Sequence, residues 1–268
     1  MKKLLNAVAL AGALLGASTA GAATLITDWT YNVATDWITA NTVFSGGGGA
    51  QTNTTSLISW GAAAGSHLVF TGDPTLDRSA LAITNSPTAG SIQTNGASEA
   101  GATVTHFNHT IDGSFAALRS TSLTTSLLLT SAIPIFGIPI APPPLNFDVN
   151  FIETPNISGS CAPPSASVCD DIFVIALPDL TQGFDLLGYH YTVNIFDTGG
   201  FLHFLSDAQC AAAGVANGCY GLQTIENAQT PINFEFNITA TLIPEPESLA
   251  LFAAALFALG AVMRRKTL

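Results

Sequence analysis

Three runs of two-residue alternation constrain this chain more than any other feature. Leu145, Phe147, Val149 and Phe151 alternate with Asn146, Asp148 and Asn150, and Tyr189, Tyr191, Val193 and Ile195 alternate with His190, Thr192 and Asn194. Ile232, Phe234, Phe236, Ile238 and Ala240 alternate with Asn233, Glu235, Asn237 and Thr239. Successive side chains of a strand point to opposite faces, so each run sets one face on a core and the other in water. No internal segment keeps a 3.6-residue period long enough for a long helix; Ala208 to Val215 predicts one short helix, capped by Asp207. With Gly, Pro, Asn and Asp turns between the runs, the pattern predicts an all-β fold whose body is an antiparallel β-sandwich. Phe147, Val149, Phe151, Tyr191, Val193, Phe234, Phe236 and Ile238 are expected to face a common core.

Smaller features add detail. Thr27-Asp28-Trp29 and Thr35-Asp36-Trp37 repeat at a spacing of eight and suggest two arms of one early strand pair. Gly46 to Gly49 reads as a flexible hairpin connection. Ile133 to Leu145 contains Pro134, Pro139, Pro142, Pro143 and Pro144, too many missing N–H groups for a central strand. That stretch reads as a crossover or linker, inside a body expected to be one domain.

The two ends differ in kind from this body. Met1-Lys2-Lys3 precedes an apolar run from Leu4 to Ala17, and Ala20-Gly21-Ala22 fits the small-residue cleavage rule of a secretory signal. About 14 apolar residues are too few to cross a hydrocarbon core of ~30 Å. The division is therefore a signal helix at 1–22, a body at 23–243 and a tail at 244–268. In the tail, Pro244-Glu245-Pro246 is followed by an apolar span, Leu249 to Met263, and by Arg264-Arg265-Lys266. The span predicts a transmembrane helix in the inner membrane, and the basic residues hold its end on the cytoplasmic side. Between Ala23 and Ile243 only Arg78 and Arg119 are basic, against sixteen Asp and Glu. So acidic a surface repels phosphate backbones, which excludes a nucleic-acid binder.

Motif, span and basic end, in that order over about the last 25 residues, closely resemble the PEP-CTERM sorting signal of Gram-negative bacteria. The resemblance implies processing by an exosortase, a membrane-embedded cysteine transpeptidase or protease. Thr105-His106-Phe107-Asn108 in turn resembles the signature of the THxN family of PEP-CTERM proteins. Phe151-Ile152-Glu153-Thr154-Pro155-Asn156, Cys169-Asp170-Asp171-Ile172-Phe173-Val174 and the late cysteine pair are similar to segments of that family too. No activity comes with the resemblance.

On a strand, His106 and Asn108 share a face, while Thr105, Phe107 and His109 point away. The pair reads first as a hydrogen-bonding contact that fixes a turn or joins two sheets. An oxidising compartment favours two disulfides among Cys161, Cys169, Cys210 and Cys219. Sequence leaves three connectivities open; the short loops favour Cys161–Cys169 and Cys210–Cys219. These spacings are wider than zinc-binding cysteine pairs.

Catalysis finds no local support: there is no G-x-S-x-G, H-E-x-x-H or phosphate loop. Glu153, Asp170, Asp171, Glu226 and Glu235 are available carboxylates, but no spacing selects a pair, and Asp170-Asp171 reads as a solvated turn. Hard oxygen donors would favour calcium over zinc, yet no calcium loop is present, and no metal ligand or cofactor is assigned. The expectation is a non-enzymatic surface or extracellular-matrix protein, exported by signal peptidase and the general secretion machinery. It would be held in the inner membrane as an intermediate, then released to the cell surface or medium, in a biofilm setting. The alternative is an exopolysaccharide-binding module with Trp29, Trp37 and Trp60 as candidate platforms, although core packing is the first reading for all three. A secreted hydrolase would need two carboxylates converging in one cleft.

Overall fold

The alternating runs become strands because one face of each finds an apolar partner surface. The computed structural model describes residues 23–66, 68–73, 75–137, 139–154, 165, 170–176, 180–244 and 256. Among the described residues the chain is all-β with one short α-helix. Its first strands are β1 (Asp28–Trp37), β2 (Val43–Phe44), β3 (Ala50–Asn53), β4 (Leu57–Ala62), β5 (Ser79–Thr84) and β6 (Thr88–Gln93). Then come β7 (Glu99–Asn108), β8 (Leu118–Ile133), β9 (Pro139–Ile140), β10 (Leu145–Ile152) and β11 (Asp171–Ala176). The last are β12 (Thr181–Leu186), β13 (Tyr189–Asp197), β14 (His203–Phe204), β15 (Tyr220–Thr224) and β16 (Ala228–Leu242).

Among the described residues these strands form two antiparallel sheets. The first runs β14–β15–β11–β10–β8–β1–β6, with β2 and β9 also on β8; the second runs β12–β13–β16–β7–β5–β4–β3. One cluster of buried residues joins their inner faces, including Trp37, Phe147 and Phe151 from the first sheet and Trp60, Val104 and Ile232 from the second. Farther along the same layer Tyr191 packs edge-on to Trp29 at 5.3 Å, and Phe236 to Tyr31 at 4.9 Å. Seven of the eight residues expected in the core are buried, and Phe234 is half-buried. It sits where the register of β16 on β7 shifts between Asn233 and Glu235, which breaks the alternation locally.

The chain divides into two compact units. The larger comprises Ile26–Phe184 and Tyr191–Ala240; the smaller comprises Met1–Leu25, Asp185–His190 and Thr241–Leu268. Within the smaller unit the Thr24 N–H donates to the Leu187 carbonyl and the Ile243 N–H to the Gly188 carbonyl, each at 2.9 Å. Both edges of the body are thus tied to the same β12–β13 turn.

Several local expectations are corrected. Both Asp-Trp pairs of the triplets lie on the single strand β1, where an even spacing puts both tryptophans on the buried face. Gly46 to Gly49 is a crossing from β2 in the first sheet to β3 in the second, not a hairpin. Gly49 adopts φ +94° there, and a Cβ would stand 2.6 Å from the Ala62 carbonyl oxygen, so only glycine fits. The proline-rich stretch, by contrast, is a linker as expected and joins β8 to its own sheet neighbour β10. The helix, α1 (Asp207–Ala212), is capped by Ser206 rather than Asp207. Ser206 accepts from the Gln209 N–H, while the Gln209 side chain accepts from the Ser206 N–H, a reciprocal pair that fixes the start one residue earlier.

The helix covers the outer face of β11. Ile172 and Val174 are buried against Leu205, Cys210 and Ala213, and the Cys210–Cys219 disulfide closes this layer. Cys161 and Cys169 lie outside the described residues, as do the signal segment, Glu245, Pro246, the apolar span to Met263 apart from Leu256, and Arg264, Arg265 and Lys266. No helix among the described residues is long and apolar enough to cross a membrane.

Candidate functional site

Strand order concentrates acid at one end of the first sheet. In the order β15–β11–β10, Asp171 opens β11 opposite Thr224, the last residue of β15. Ile152 pairs with Ile172, so Glu153, the next residue, leaves β10 at the same end. Glu226 follows β15 in the turn to β16. Glu153, Asp171 and Glu226 thereby each offer an oxygen within 4.8 Å of the others'.

The second sheet closes over this group through the pair that sequence singled out. His106 and Asn108 are both buried on the inner face of β7, and Thr105 and Phe107 are half-buried. Both reach across to β15: the His106 Nδ1 lies 2.9 Å from the Thr224 hydroxyl, and the Asn108 amide donates to the Thr224 carbonyl at 3.0 Å. Trp60 stacks on His106 at 6.1 Å and donates its indole N–H to Glu153 Oε2 at 3.2 Å. Asp171 Oδ1 accepts from the Thr154 N–H at 3.0 Å, and Glu226 Oε2 from the Thr110 hydroxyl at 3.4 Å.

Asp171 is fully buried and Asp170 is 4% exposed, so this pair is not a solvated turn. Phe173, two residues on, points with Asp171 into the inter-sheet layer, and α1 covers the other face of β11. Both faces are dry.

The electrostatics follow from that burial. Burial pushes the Glu153 carboxyl up to about 8 despite the Trp60 hydrogen bond, and the Glu226 charge adds to the rise. Burial also raises Glu226 to about 7 against hydrogen bonds from Asn108 and Thr110, with Asp170 adding to it. Asp171 is raised well above the ordinary range by burial, then by Glu153 and Glu226. Burial lowers His106 to about 3, with His109 contributing, so its imidazole is neutral and supplies no counter-charge. Three carboxyls this close in a low-dielectric interior hold either protons or a cation.

Several polar atoms here have no hydrogen-bond partner: Glu153 Oε1, Asp171 Oδ2, Asn108 Oδ1 and His106 Nε2. Most buried polar atoms in folded proteins are paired, so such a concentration calls for a further partner, a water or a ligand.

A separate cavity of about 260 Å³ lies between the sheets, lined by Trp37, His106, Leu123, Phe173 and Leu222 among others. None of the three carboxylates lines it. The convergence that a hydrolase needs is present, but it is enclosed in the core rather than set in that cavity. Trp29, Trp37 and Trp60 are at most 3% exposed, so none of them is a platform for sugar. Glu235 stands on β16, outside the cluster. Sequence analysis assigned no role to the set Glu153, Asp171 and Glu226. The one available signal was the unbroken apolar run after Asp171, Ile172-Phe173-Val174-Ile175, which marks a strand buried on both faces.

No protein-family model matches this chain, and no curated protein matches it either.

Proposed function

We propose that this is an exported, non-enzymatic surface or extracellular-matrix protein, held in the inner membrane by its C-terminal tail and processed there by an exosortase. The observation that carries the reading is the position of Pro244. Ile243 is hydrogen-bonded to Gly188, and Pro244, the first residue of the Pro-Glu-Pro motif, follows it directly and is exposed. An exposed Pro244 leaves the start of the motif open to a protease. Proline fixes φ near −65° and offers no N–H, so the tripeptide is a preformed extended ligand. Glu245 supplies the only charge in that frame, while Arg264, Arg265 and Lys266 retain the tail across the membrane.

A non-enzymatic role accords with an acidic group set among aromatic side chains, apart from the inter-sheet cavity, and with the buried tryptophans. The test is Glu245→Ala in a strain with its exosortase, blotted for the body in inner-membrane, outer-membrane and secreted fractions. Glu245→Ala should leave export intact and the full-length form accumulating in the inner membrane. Identical fragments in identical fractions for both forms would show an ordinary anchor and end the sorting reading.

A further inference from the structure

We infer that Glu153, Asp171 and Glu226 form a binding site for a single calcium ion, a property independent of how the tail is processed. Calcium takes oxygen ligands at about 2.3–2.6 Å, so oxygens that share one ion lie no more than about 5 Å apart. The three carboxylates meet that limit, each offering an oxygen within 4.8 Å of the others'.

Two further observations point to a ligand rather than to an acidic patch. Asp171 and Glu153 each have one oxygen fixed by the protein, through the Thr154 N–H and the Trp60 indole, and the other oxygen unpartnered. That is how proteins orient metal ligands: an outer donor sets the carboxylate and leaves the inner oxygen for the ion. Asn108, which is not an acid, donates to the Thr224 carbonyl beside these acids, is 0% exposed and keeps its own Oδ1 unpartnered.

The donor set selects the ion. Among the described residues the grouped donors include no imidazole or thiolate, which zinc favours. Magnesium keeps several waters and usually takes one or two carboxylates, whereas three carboxylates enclosed by protein suit calcium's larger, more adaptable shell. Glu153 is the half-buried member, so the ion enters on its side. Among the described residues, the charged groups that raise the three acids are one another and Asp170, and the body has no lysine. Bound calcium would supply the missing positive charge and join the ends of β10, β11 and β15.

The experiment uses the full chain in mild detergent, stripped with EGTA and titrated calorimetrically with calcium, magnesium and zinc chlorides. The expected result is one calcium per chain with Kd below about 100 µM, and magnesium and zinc at least about tenfold weaker. Asp171→Asn and Glu153→Gln should each weaken calcium binding by more than about tenfold, as loss of a charged ligand does. Terbium, a calcium surrogate, needs no variant: it should luminesce when Trp60 or a neighbouring tryptophan is excited, and calcium should quench the signal by displacement. Three results would each overturn the site: no calcium binding by the wild-type chain at millimolar concentration, magnesium or zinc binding as tightly, or Asp171→Asn binding calcium like wild type. The first would mean that the three carboxyls share protons. Fractionation of Glu245→Ala reads tail processing separately, so either idea can fail alone.

Discussion

Two buried tryptophans lie in the same inter-sheet layer and solve the same problem differently. The Trp29 indole donates to the Thr94 hydroxyl at 2.9 Å, that hydroxyl donates to the Ile26 carbonyl at 2.6 Å, and the Ile26 N–H donates to the Tyr191 hydroxyl at 2.8 Å. These groups are neutral and joined in one chain. Around Trp60 the indole donates to a carboxylate, and two more carboxylates, a neutral imidazole and several unpartnered atoms surround it. Unsatisfied buried polar atoms are costly, about 1–3 kcal/mol each and more when charged. A fold that closes its network at one tryptophan and leaves it open at the other has a ligand-dependent end and a ligand-independent end.

The largest effect expected on that contrast comes from Trp29→Ala. It removes a fully buried ring and the first link of the closed network, and should cost about 3–5 kcal/mol in urea unfolding. The loss should be the same with calcium or EGTA. A loss that calcium partly restores would mean that the two ends are coupled. Next comes the double replacement Cys210→Ser with Cys219→Ser, expected to cost about 2–3 kcal/mol. The bond closes the layer over β11, so calcium affinity should fall along with stability. An unchanged affinity would mean that α1 does not hold Asp171 in place.

The smallest effect is the most discriminating. Trp29→Phe and Trp60→Phe each remove one indole N–H, and each should cost about 1 kcal/mol when calcium is saturating. Only Trp60→Phe should also weaken calcium binding, by a few-fold, because it frees Glu153 Oε2 from its outer donor. Equal calcium affinities for the two variants would break the comparison.

How much of this was legible depended on whether the information was local. The alternation of Leu145 to Phe151 foretold both the strand β10 and its buried face, because one sheet face meets the core and the other meets water. The same logic placed His106 and Asn108 on one face of β7. It failed at Asp171, because the outer face of β11 is covered by α1, and the only local trace of that second layer is the unbroken apolar run Ile172 to Ile175 rather than an alternation. Nor could spacing bring Glu153, Asp171 and Glu226 together. Their meeting follows from the neighbour order β15–β11–β10, set by long-range pairing rather than by residues near any one acid. The Gly46 to Gly49 crossing was misread for a similar reason, since glycines permit a turn without stating which sheet the chain enters next.

The central claim, that the open end is completed by calcium, is tested most directly by elemental analysis of the full chain recovered from exporting cells without chelator. The account predicts about one calcium per chain, removed by EGTA, restored by dialysis against calcium chloride and absent from Asp171→Asn. A wild-type chain that holds no divalent ion before or after that dialysis would contradict it and leave Glu153, Asp171 and Glu226 as a proton-sharing cluster.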